Sequence, residues 1–139
     1  MRALSLFLLA LCLGHFLGCG SASRDEQVTQ VSQVVLPSGF PNDIPAPPKV
    51  LKLVEAEEMP QWFEAVYECE AEPVEMHRLM RRAIQEEGWK ETLSIPMDAT
   101  KESLLNFEKP DGRKVACQVA LHDGENYSTV TLTILKKKG

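Results

Sequence analysis

Cys69 and Cys117 are the side chains in the body of the chain best suited to covalent chemistry. Each stands in an alternating apolar run. Cys69 follows Phe63, Ala65 and Tyr67, and Cys117 lies between Val115 and Val119, so both are expected to face a core. In an oxidising compartment two such thiols pair as a disulfide. Here it would close a loop of roughly 50 residues and stabilise by about 4 kcal/mol in the chain-entropy model. The alternative is two buried thiols acting as small apolar side chains. No Cys-x-x-Cys and no helix start flanks either residue, which argues against a redox-catalytic pair. His77 and His122 have no partners at metal-ligand spacing, so no metal site and no cofactor are expected. There is no Gly-x-Ser-x-Gly and no glycine-rich phosphate loop. No catalytic residue is assigned, and the chain is expected not to be an enzyme.

Charge is the other chemical resource, and it is unevenly spread. From Glu55 to Glu75 the chain carries eight acidic residues and no Lys or Arg. Alternation sets Trp62, Glu64, Val66 and Glu68 opposite the Phe63 face, so they share the outer surface of one strand. Two readings follow. One is a solvated acidic face. The other is a docking face for a basic or mixed protein partner, with Trp62 as its aromatic anchor. Lys136, Lys137 and Lys138 have the opposite sign and are expected to form a solvated tail. The formal net charge of -5 and the pI near 5.2 argue against a nucleic-acid partner, which would require a basic stripe.

These residues need a frame to hold them. Lys49–Ala56 and Gln61–Ala71 read as two strands, with Met59-Pro60 at the turn. Pro73–Glu87 reads as a helix. Met76, Leu79, Met80, Ala83 and Ile84 make one apolar stripe, and Glu75, Arg78, Arg81, Arg82, Gln85 and Glu86 cover the solvent side. Pro73 suits a first helical position and Gly88 a left-handed stop, with Trp89 folding back on Ile84. Trp89–Ile95 is a weaker strand pattern ended by Pro96. Ser103–Glu108, Arg113–Leu121 and Tyr127–Leu135 are clearer. Lys109-Pro110-Asp111-Gly112 and His122-Asp123-Gly124-Glu125 are turns between them. An amphipathic helix of this kind needs a sheet to cover. The expected fold is α+β: an antiparallel sheet of about five strands, in ββαβββ order, with the helix packed on one face.

The first residues carry an address. Met1-Arg2 precedes an apolar run from Ala3 to Leu17, the length of a signal h-region and too short to span a bilayer. Phe16-Leu17-Gly18-Cys19 resembles a bacterial lipobox. That resemblance implies cleavage before Cys19 and lipidation of its thiol. Two or three acyl chains meet the two-signal requirement for stable anchoring. Gly at position 20, in place of Asp, favours the outer membrane by resemblance to enteric sorting rules, if the cell is Gram-negative. Ordinary secretory cleavage after Gly20-Ser21-Ala22 is the alternative; it would discard Cys19 and release a soluble protein.

Residues 20–48 read as a stalk, ending in a stretch from Leu36 to Pro48 that holds five prolines. It is expected to be a spacer from the membrane, or a strap docked on the domain through Phe40 and Ile44. Within it, Pro37-Ser38-Gly39-Phe40-Pro41-Asn42-Asp43-Ile44-Pro45 resembles the P-x-GFP-x-DIP lead-in of a group of small bacterial lipoproteins. In that group a strand pair, a helix ending in Glu-Glu-Gly-Trp and an antiparallel meander follow; the matching segment here is Glu86-Glu87-Gly88-Trp89. The resemblance implies a fold and no activity. The organisation expected is therefore 1–18 signal peptide, 19–48 lipidated cysteine and tether, and 49–138 a single domain. The function expected is a non-catalytic binding or scaffold module, held at the cell envelope by its N-terminal lipid and facing an envelope protein. The alternative is a carrier holding an apolar molecule between helix and sheet, with Met76 and Met80 as its adaptable lining.

Overall fold

The strand with the strictest alternation organises the molecule. In β2 (Trp62–Cys69) the side chains of Phe63, Ala65, Tyr67 and Cys69 are buried, and those between them are half-buried. The computed structural model describes residues 34–97, 101–122 and 126–137, and all statements of structure concern these residues. The expected leader, Cys19 and the first part of the stalk lie outside them, as does Lys138. The remaining elements are β1 (Val50–Glu58), α1 (Pro73–Glu86), β3 (Lys90–Ile95), β4 (Glu102–Glu108), β5 (Lys114–Leu121) and β6 (Ser128–Leu135).

The six strands form one antiparallel sheet in the order β1-β2-β6-β5-β4-β3. The α+β class stands. The expected strand number and order are corrected by one strand, because β3 is a full member and the order is ββαββββ. Its pattern is faint for a physical reason. β3 pairs only with β4, lies at a sheet edge, and carries a bulge between Glu91 and Leu93 that breaks its alternation.

One face of the sheet is the core. Leu105 and Phe107 of β4, Val115, Cys117 and Val119 of β5, and Val130, Leu132 and Ile134 of β6 join the β2 set in a single cluster. α1 lies over β4, β5 and β6 and contributes Met76, Met80 and Ile84, all fully buried. Each such side chain stabilises by about 1.5–3 kcal/mol relative to exposure. The helix stops where the sequence requires. Gly88 has φ 82°, its N–H donates to the Gln85 carbonyl at 2.9 Å, and the Trp89 N–H reaches the Ile84 carbonyl at 3.4 Å. This is the paired bonding of a Schellman cap, and it returns Trp89 to the core, where it is 3 % exposed.

The helix leaves the inner face of β2 to another covering. Phe40 meets Phe63 edge-on, with ring centroids 5.9 Å apart, and Ile44 is buried in the core cluster. Of the two expectations for the proline-rich stretch, docking describes Phe40 and Ile44. The inner layer of the described residues is thus a helix beside a strap.

Candidate functional site

The strap is held by a built cluster of charge. The turn Lys109-Pro110-Asp111-Gly112 closes the β4–β5 hairpin, with the Lys109 N–H donating to the Arg113 carbonyl at 3.0 Å. The hairpin therefore presents Lys109 and Arg113 side by side. The Arg113 guanidinium grips Asp43 of the strap with both ends, Nη1 to Oδ1 at 2.9 Å and Nη2 to Oδ2 at 2.8 Å. Lys109 Nζ bonds Oδ2 as well. The Arg113 hydrogen bonds hold the Asp43 carboxyl down to about 2, against an opposing effect of partial burial, and Lys109 adds to the lowering. Asp111 takes Arg113 Nε at 2.7 Å and fixes the guanidinium from behind.

Trp89 ties this cluster to the helix cap. Its indole Nε1 donates to the Asp43 carbonyl at 2.8 Å. Lys109 and Arg113 lie over its ring, 5.0 and 5.2 Å from the centroid. The Asp-Ile-Pro of the strap and the Gly-Trp of the helix end therefore meet directly. Asp43 bonds the hairpin, Ile44 enters the core, and the backbone between them takes the tryptophan. The expectation named Phe40 and Ile44 but missed Asp43 and its partners. Two cations flanking a tight turn were the only local signal.

The candidate docking residues also come together. Trp62, Glu64, Val66 and Glu68 share the outer face of β2 and are all half-buried. Glu68 bonds Lys52 Nζ at 3.0 Å and lies 3.8 Å from His122 Nε2. Glu64 accepts from Thr133 Oγ1 at 3.4 Å and stands opposite Glu57 of β1 in the strand register. Beyond them the face continues through Thr129, Thr131 and Thr133 of β6, then Ala116, Gln118 and Ala120 of β5. It ends at Leu104 of β4 and the exposed Leu93 and Ile95 of β3. A depression of about 370 Å³ lies on this face, between Asn106, Lys114, Ala116, Thr133 and Leu135.

The two cysteines do not pair. Both are free and buried, Cys69 on β2 and Cys117 on β5, with β6 between them. Two strand spacings come to about 10 Å, beyond the roughly 7 Å Cα separation that a disulfide spans. The expected disulfide is therefore corrected to two buried thiols. Burial pushes Cys69 up to about 11 and Cys117 up to about 12, so neither is a nucleophile at neutral pH.

His77 is a satisfied structural histidine. Its Nδ1 and Ser103 Oγ are 2.9 Å apart, and its Nε2 lies 3.4 Å from Ser94 Oγ, so it links α1 to β4 and β3. Burial first, and Arg81 next, hold its pKa below the ordinary value. The lysine tail is less free than expected. Lys136 bonds Glu58 at 2.6 Å and lies over the Phe63 ring at 4.4 Å. Among the described residues there is no cluster of three or more His, Cys, Asp or Glu that could hold a metal ion, and no helix long and apolar enough to cross a membrane. No protein-family model, no curated protein and no solved structure matches the chain.

Proposed function

We propose that this chain is a lipid-anchored protein of the cell envelope whose domain is a non-catalytic binding module, with the outer face of the sheet as its docking surface. The observation that carries the reading is the one-sided construction. Helix and strap both cover the same face, and among the described residues nothing covers the other. Trp62 and Val66 at one side of that face, and Leu93, Ile95 and Leu135 elsewhere on it, leave apolar area in contact with water. The acid pair Glu57 and Glu64 beside Trp62 favours a partner that brings positive charge. The anchor is inferred from the leader and Cys19. The carrier alternative has less support, since Met76 and Met80, which would line its cavity, are fully buried in the core cluster.

The test is crosslinking in intact cells, then purification from the membrane fraction and identification of what accompanies the protein. A dominant envelope partner is expected, reduced at least about tenfold by Trp62→Ala combined with Glu64→Lys. A partner retained at full yield by that variant would remove this face from the account.

A further inference from the structure

Among the described residues β1 ends the sheet with an unpaired edge, and its composition is self-complementary. The strand reads Val50-Leu51-Lys52-Leu53-Val54-Glu55-Ala56-Glu57-Glu58, with Lys49 just before it. Its one cation, Lys52, stands in its first half and its three anions, Glu55, Glu57 and Glu58, in its second. An antiparallel second copy reverses that order, so a two-fold axis between Leu53 and Val54 sets Lys52 against Glu55 and Leu51 against Ala56. A parallel copy would set like charges together.

The bulge at Val54 makes the centre of this register workable, and Val50 and Glu57, which stand opposite Cys69 and Glu64, mark its limits because they point to different faces. In a regular strand, residues three apart point to opposite faces. Here the register shifts between Leu53 and Glu55, so Lys52 stands opposite Glu68 of β2 and Glu55 opposite Val66. Both lie on the outer face and can meet their counterparts across the axis. Leu51 and Val54, the extra residues at the two register shifts, are 53 % and 41 % exposed, an apolar load that an edge strand normally avoids. Among the described residues no Lys or Arg bonds Glu55, while Lys52 is held only by the exposed pair with Glu68. The opposite edge lacks these properties. β3 has six residues, carries Lys90 and Glu91 together at one end, and gives no charge match to a reversed copy of itself.

We infer that β1 is a homodimerisation strand: two copies pair antiparallel through their β1 edges, Lys52 of each against Glu55 of the other, joining two six-stranded sheets into one. The occupant is a second copy because the charge pattern is complementary to its own reversal.

The experiment measures the oligomeric state of the full chain, purified in mild detergent, by sedimentation and light scattering over a range of concentrations. A dimer is expected. Lys52→Glu alone and Glu55→Lys alone each turn two attractive contacts per dimer into repulsive ones and weaken it at least about tenfold. The double variant Lys52→Glu with Glu55→Lys restores attraction across the axis and recovers the dimer. Both side chains are exposed, and circular dichroism checks that each variant remains folded. Trp62→Ala, on the next strand and away from the β1 edge, leaves the dimer unchanged. A monomer at every concentration would overturn the inference. So would a dimer indifferent to the single reversals, or a double variant no better than either single one.

Discussion

Asp43 shows how much one side chain of the strap carries. Its carboxylate takes both ends of Arg113 and the Lys109 ammonium, and its backbone carbonyl takes the Trp89 indole. The carboxyl is held at about 2 against an ordinary 3.8, so the unfolded chain binds this proton first as pH falls. The stabilisation is complete above pH 4 and is lost between about pH 4 and pH 2. With the cluster open to solvent on one side, it amounts to about 1–2 kcal/mol. Asp43→Asn should therefore lower the unfolding free energy measured in urea at pH 6 by that amount, and the gap to the parent protein should close as pH falls from 4 to 2. A gap that stayed constant across this window would mean that the charge on Asp43 contributes nothing. The site could not be read locally, because Lys109 and Arg113 lie 66 and 70 positions away in the chain. The outer-face residues of β2 were legible, because alternation along one strand assigns faces without any knowledge of its neighbours.

The elements divide in the same way, into those set by local pattern and those set by distant pairing. α1 was legible throughout. Of its stripe, Met76, Met80 and Ile84 are buried and Leu79 and Ala83 half-buried, and its stop at Gly88 adopts the left-handed conformation that the residue type suggests. Gly88→Ala should cost about 1 kcal/mol, since a Cβ there meets nothing within 4 Å and only the backbone conformation resists it. Gly88→Asn should cost less, because Asn tolerates that conformation. Thermal melts of the two variants check the order; equal losses would show that the cap is not the limiting feature. β3 was faint because an edge strand with a bulge keeps little alternation. The strand order was illegible because β6, the last strand in the chain, inserts between β2 and β5. That insertion separates Cys69 from Cys117, so two residues correctly placed on the core face were wrongly expected to bond.

For the whole molecule, the main consequence is asymmetry. Helix, helix cap, hairpin turn and strap all serve one side of the sheet, while Thr129, Thr131, Thr133 and Ala116 form a floor on the other that no described element covers. Acidic and apolar residues stand together along that floor: Glu57 and Glu64 beside Trp62 and Val66 on one side, and Glu102 and Glu108 of β4 beside Leu93 and Ile95 on the other. On the proposed reading the outer face meets a different protein, and self-association belongs to the β1 edge. The most direct test of that assignment is a pair of photocrosslinking probes in living cells, one replacing Val66 on the outer face and one replacing Arg82 on the exposed side of α1. The account predicts a discrete crosslinked partner from position 66 and none from position 82. A partner captured from position 82 alone would contradict it and place the working surface on the helix side.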